Sequence, residues 1–316
     1  MAAEGSTKAV LTALIANLGI AISKFVAAGI TGSASMLAEG VHSVADSTNQ
    51  ALLLVGGKRA RRAPSALHPF GYARERYIYA FIVAIILFTI GGLYALYEGY
   101  HKISDPHELT SPLIAVVVLL IAIGLESYAL RTAVQEANKI RGDRGWVSFI
   151  RHARSPELPV ILLEDAGALL GLVFALAGVG LSVLTGNAIF DGIGTLCIGV
   201  LLVTIAVVLA IEIKSLLIGE SALPEEVTAI HSALLATPGV GRVIHLRTLH
   251  LGPDELLVAG KIAIDAQQSG ADIAAVIDDA EARLRQALPI TSIVYLEPDI
   301  YRRPASSSVG SPTPTQ

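Results

Sequence analysis

The chain is short of cysteine, of charge and of hydrolase signatures. A single cysteine, Cys197, stands among 316 residues and sits in an apolar run. That excludes an intramolecular disulfide and any thiolate cluster for a metal. Charged residues make up 16% of the sequence, against about 25% in soluble globular chains. The net charge of −4 leaves no basic footprint for nucleic acid. Neither Gly-x-Ser-x-Gly nor His-Glu-x-x-His occurs, so no nucleophile elbow and no zincin helix is encoded. The segment Met1 to Thr7 is too short for a signal region with a cleavage site, and the first apolar run reads as a retained helix.

What is there is apolar. Hydrophobic residues reach 53% and mean hydropathy is +0.62. Six stretches, near 8–30, 34–56, 77–100, 112–135, 157–184 and 188–212, are long enough to cross a bilayer, which requires about 20 residues each. The second is the least hydrophobic, because it carries Glu39, His42, Asp46, Asn49 and Gln50. Lys and Arg set the orientation. The links between spans two and three and between four and five hold Lys58, Arg59, Arg61, Arg62, Arg74 and Arg76, then Lys139, Arg141, Arg144, Arg151 and Arg154. The opposite links hold only Lys102. Both basic links are therefore expected in the cytoplasm, lying against anionic lipid, with both termini on the same side.

After Lys214 the composition turns charged and mixed. Pro224 to Leu235 reads as an amphipathic helix with acidic residues at its start. Gly241 to Leu251 and Glu255 to Asp265 alternate as two strands about a Gly-Pro-Asp turn. Ala271 to Leu288 reads as a second helix and Ser292 to Glu297 as a third strand. The expected architecture is an α-helical polytopic membrane domain over 8–212 and an α+β cytosolic domain over 213–301. The Ser/Pro/Thr-rich tail, 302–316, is expected to be disordered.

Within this apolar background, ionisable residues in the spans stand out. Such a residue costs about 2.5–3.5 kcal/mol on insertion scales. His42 and Asp46 are four apart, so on a helix they present imidazole and carboxylate to one point, with Glu39 on the same side. Asp165 comes from another span. Carboxylate and imidazole together form a divalent-metal ligand set. The alternative is that these groups merely join helices by hydrogen bonds, as Asn17 is expected to do; the charge of two carboxylates argues for the metal.

The run Ser33 to Asp46, the segment His68-Pro-Phe-Gly-Tyr72 to Arg76, and the motifs Leu163-Glu-Asp-Ala-Gly and Leu217-Ile-Gly-Glu-Ser-Ala222 resemble the cation diffusion facilitator family, in its zinc transporter 9-like branch. The resemblance implies six transmembrane helices and a cytosolic ferredoxin-like domain. It implies a homodimer joined through that domain and the transmembrane helices. It also implies export of Zn2+ from the cytosol in exchange for H+, across a plasma or inner membrane, with no resident cofactor. Manganese, iron, cobalt, nickel and cadmium are alternative cargoes, and a non-transporting metal-responsive scaffold is an alternative role.

Carried over by motif, His42 and Asp46 fall on the ligand pair of the second helix and Asp165 on the aspartate of the fifth. The histidine that many relatives carry four residues before that aspartate is Ile161 here. Glu164 is the nearest spare carboxylate, about 100° round the helix from Asp165; it either fills the gap or faces a neighbouring helix. Glu39 is a further candidate. The accessory sites of relatives are eroded. Tyr72 follows His68 where a second histidine is expected. Lys261 and Leu296 stand where partners of His245 are expected. His231, His245 and His250 read as surface or packing residues, His101 and His107 as solvated loop residues beside Asp105 and Glu108, and Asp191 as a helix cap.

Overall fold

The structure, a computed structural model, describes residues 2–31, 34–106 and 112–302, without the side chains at 2–9, 13, 16, 27, 28, 30, 31, 34–42 and 45. The tail from 303, together with His107 and Glu108, lies outside the described residues. The chain forms two compact units, Met1–Gly219 and Glu220–Gln316.

The first unit is helical. Its helices are α1 (Ala2–Thr31), α2 (Ala34–Ala60), α3 (Glu75–Ser104), α4 (Pro112–Arg141), α5 (Trp146–His152), α6 (Glu157–Thr185) and α7 (Ile189–Ile218). Six of these cover the apolar stretches of the sequence and extend beyond them. By length and composition α3, α4, α6 and α7 are able to cross a membrane; α1 contributes the shorter apolar segment Val10–Val26. The seven-residue α5 lies within the basic link between α4 and α6. Phe149 anchors it in the core, and Arg141 stacks on Trp146 at 4.5 Å.

The long helices pack in the cyclic order α1, α2, α3, α7, α6, α4. Large apolar side chains also cover the outside. Leu11, Ile15, Leu18 and Ile22 line one side of α1, and Val200, Val207 and Ile211 are exposed on α7. A water-soluble protein does not expose apolar surface on this scale, whereas hydrocarbon solvates it.

The seam between α3 and α7 depends on glycine. A Cβ on Gly99 would come 2.7 Å from the backbone nitrogen of Leu196, and one on Gly199 2.7 Å from that of Leu96. Small residues let the two backbones approach, and dispersion replaces the hydrophobic drive that lipid does not supply. Along the same seam α3 widens into a π-helical segment, Leu87–Leu93. It seats Gly92 against Val203 of α7.

The second unit has the order α8 (Pro224–Leu235), β1 (Arg242–Gly252), β2 (Glu255–Ala263), α9 (Gly270–Ala287), β3 (Thr291–Asp299). The sheet order is β1-β2-β3, with β1 and β2 antiparallel and β2 and β3 parallel across α9. Leu256, Val258 and Ile262 alternate along β2 toward a core shared with Ile230 and Leu234 of α8 and Leu284 of α9. Glu226 accepts a hydrogen bond from Leu223 N (2.8 Å) to close the start of α8. Ser269 and Asp272 exchange the corresponding bonds at the start of α9.

A candidate metal centre among the helices

One face of α2 repeats polar residues at helical spacing. Ser43, Asp46 and Gln50 follow the i, i+3, i+7 rhythm, Asn49 stands beside them three residues after Asp46, and Ser43, Asn49 and Gln50 are buried. Asn17 of α1 donates to Gln50 Oε1 at 3.2 Å. Lys24, two turns further along α1, donates to Ser43 Oγ at 3.0 Å. Asn49 donates to Glu164 Oε1 on α6 at 3.1 Å. Three helices are thus joined by polar contacts inside an apolar unit.

These contacts frame a cavity of about 130 Å³. Its polar lining is Asn17, Lys24, Ser43, Asp46, Glu126, Glu164 and Asp165; the remainder is apolar, including Leu87, Ile198 and Leu202. Four carboxylates from α2, α4 and α6 therefore face one space. Glu126, Glu164 and Asp165 are 5%, 4% and 2% exposed. One oxygen of each, Oε2 of both glutamates and Oδ2 of Asp165, has no hydrogen-bond partner among the described residues. A buried carboxylate oxygen without a donor is costly, and such an oxygen in a cavity is suited to a cation.

Of the residues expected at the site, Asp46, Glu164 and Asp165 line this cavity. Glu39 and His42 lie on α2, and their side chains fall outside those described. Among the described residues no three His, Cys, Asp or Glu side chains converge on a single ion-binding point. Ile161 is fully buried in the apolar core, so position 161 supplies no ligand. Glu164 faces a neighbouring helix, engaging α2 through Asn49, and its side chain also lines the cavity.

Sequence reasoning missed Glu126 and Lys24. Glu126 interrupts the apolar run of α4, and the signal that singled out Asp165 applies to it equally. Lys24 sits toward the end of α1, where a lysine ordinarily reaches for the interface; here it is 5% exposed.

The secondary positions resolve individually. His245 is the register partner of Lys261 on β2. The Lys261 ammonium lies 2.9 Å from Glu297 and 3.0 Å from Asp299, which raise its pKa. A cation held there by two carboxylates leaves His245 no metal partner on β2. His250 is buried, with Nε2 4.0 Å from Glu226, and packs between β1 and α8. His68 meets Tyr72 edge-on at 4.7 Å in the turn before α3. His101 lies in α3 beside Tyr97, not in a loop. Asp191 is not a cap: Ala188 holds that position, and Asp191 in the first turn of α7 pairs with Lys102 at 3.0 Å.

Family models match both units. Residues 10–218 match the cation efflux transmembrane domain and 222–299 the cation efflux protein cytoplasmic domain. The chain belongs to the cation efflux family. That is a family of transport proteins, not of enzymes. This cation efflux protein is 32% identical over 84% of its length to the mitochondrial proton-coupled zinc antiporter of Xenopus laevis, covering 48% of that protein. It is 30% identical to metal tolerance protein C4 of Arabidopsis thaliana, over 84% of this chain and 58% of that one. It is 26% identical to the metal cation efflux system protein CzcD of Cupriavidus metallidurans, over 80% and 76%. The chain spans about half the length of the antiporter it matches.

Proposed function

We propose that this protein is a secondary active transporter that moves Zn2+ out of the cytosol in exchange for protons. The observation that carries the reading is the cavity among the helices lined by Asp46, Glu126, Glu164 and Asp165. His42 and Asp46, one turn apart on α2, and Asp165 on α6 are the proposed cargo ligands, with Glu164 and Glu39 as auxiliary carboxylates. Metal requires ionised carboxylate and neutral imidazole, so protons compete for the same groups and exchange follows from the site itself. The cargo enters from one side, the helices rock about the cavity, and protons displace it on the other. The names of the antiporter relatives point the same way.

The proposed architecture is six transmembrane spans, α1 to α4, α6 and α7, with both termini in the cytoplasm and a ferredoxin-like domain beyond the last span. The order α8-β1-β2-α9-β3 supports that fold, and the cytoplasmic-domain match supports a homodimer. The test is flux in proteoliposomes. An imposed pH gradient should drive saturable Zn2+ uptake with proton movement in the opposite direction. Zn2+ movement that ignores the gradient would remove the antiport.

One observation favours a second cargo. With Ile161 in the core and carboxylates on three helices, the described lining is rich in oxygen, a set that suits Mn2+ or Fe2+ better than a histidine-rich site does. Competition of each ion against Zn2+ uptake ranks them.

A further inference from the structure

We propose that Lys24 is the resident counter-cation of the carboxylate cavity, holding with its ammonium the electrostatic place that the cargo ion takes. The inference deepens the transport reading and rests on it. Lys24 is buried, lines the same cavity as the four carboxylates, and is fixed to α2 through Ser43 Oγ at 3.0 Å. It and Asp46 both lie within electrostatic reach of Glu126. Glu126 is buried on α4 and keeps Oε2 without a partner among the described residues. An ammonium and an arriving divalent ion cannot share this space without repulsion, which low-dielectric surroundings strengthen. The ammonium therefore weakens cargo binding. It also supplies compensating charge whenever the cavity holds no metal, which unpaired buried carboxylates need. Glu126 is the carboxylate that Lys24 and the cargo share. Fixed charge of this kind keeps affinity low enough for release on the far side.

The position of Lys24 gives the device its leverage. Asn17 and Lys24 stand two turns apart on one face of α1, and both are tied to α2. Charge from α1 thus meets carboxylates from α2, α4 and α6, each of which packs against α1. A rocking motion that changes the distance between α1 and α4 changes how much of Glu126 the ammonium neutralises.

The test is equilibrium Zn2+ binding to the full-length protein in nanodiscs, followed by uptake kinetics. The site is defined as the component lost in Asp165→Asn. Lys24→Met and Lys24→Gln should each tighten that component by about tenfold or more, with a lower KM and a lower maximal flux. Lys24→Arg, which keeps the charge, should stay near the unmodified protein. Glu126→Gln should weaken binding, and Lys24→Met combined with Glu126→Gln should return toward the starting affinity. Damage to folding weakens binding, so a gain in affinity is not its signature. Unchanged or weaker binding in both neutral variants, with the Asp165-dependent component intact, overturns the role of Lys24 alone. Absence of any Asp165-dependent component overturns the transport reading beneath it.

Discussion

Arg76 at the start of α3 and Glu157 at the start of α6 are 11% and 5% exposed and form a two-pronged ion pair. Arg76 Nη2 lies 2.9 Å from Glu157 Oε2 and 2.9 Å from Ser155 Oγ, and Ser155 donates to the same carboxylate at 2.7 Å. Removing one partner of a buried pair leaves a charge short of compensation and costs about 3–5 kcal/mol. Glu157→Ala is therefore expected to lower the thermal unfolding midpoint in detergent clearly, with Glu157→Gln losing less. The residue scale is also where the sequence was hardest to read. Asp46 and Asp165 were legible because carboxylates are conspicuous in apolar runs. Glu126 gave the same signal but came with no motif. Lys24 was hidden by its place near a helix end, where burial depends on Ser43 and the cavity and not on neighbours in sequence.

At the scale of elements, alternation and caps made the second unit readable. Leu256, Val258 and Ile262 of β2, the Gly252-Pro-Asp turn and the Ser269 cap all gave local signals that the tertiary structure obeys. The π-helical segment of α3 and the short α5 gave none. The first carries Gly92, which packs closely against Val203 of α7, and the second is a seven-residue helix whose Phe149 is buried in the core. The α3–α7 seam has a direct test. Gly99→Leu and Gly199→Leu place side chains where the partner backbone lies 2.7 Å from a new Cβ; overpacking of this kind costs about 1–3 kcal/mol or more. Both should lower thermal stability, while Gly124→Ala, which meets nothing within 4 Å, should hold or raise it.

The second unit also predicts a pH response. Hydrogen bonds from Lys261 and the Ile300 backbone lower the pKa of Asp299, and the Ser269 cap lowers that of Asp272. Their stabilisation is complete above the ordinary aspartate value of about 3.9 and is lost as pH falls through the depressed folded values. Lys261 works at the other end. Its pKa is raised, so its contribution is complete below the ordinary lysine value of about 10.4 and is lost as pH climbs through the folded one. Asp299→Asn should flatten the acid limb of an unfolding curve followed by circular dichroism, and Lys261→Met the alkaline limb. These groups are solvent-facing, so salt should shrink both effects.

For the whole molecule, hydropathy announced a bundle of long helices, and the scarcity of charge within them directed attention to the few ionisable side chains. The arrangement that brings α1, α2, α4 and α6 round one cavity could not be read from any single helix, because it is set by the cyclic packing order. On the proposed transport function, the carboxylates of this cavity carry the cargo. Zn2+ flux into proteoliposomes under a pH gradient, compared between the unmodified protein and Asp165→Ala, tests it most directly. Saturable uptake by the unmodified protein should fall to the level of empty liposomes in the variant, with the variant still folded by circular dichroism. Undiminished flux through Asp165→Ala would contradict it.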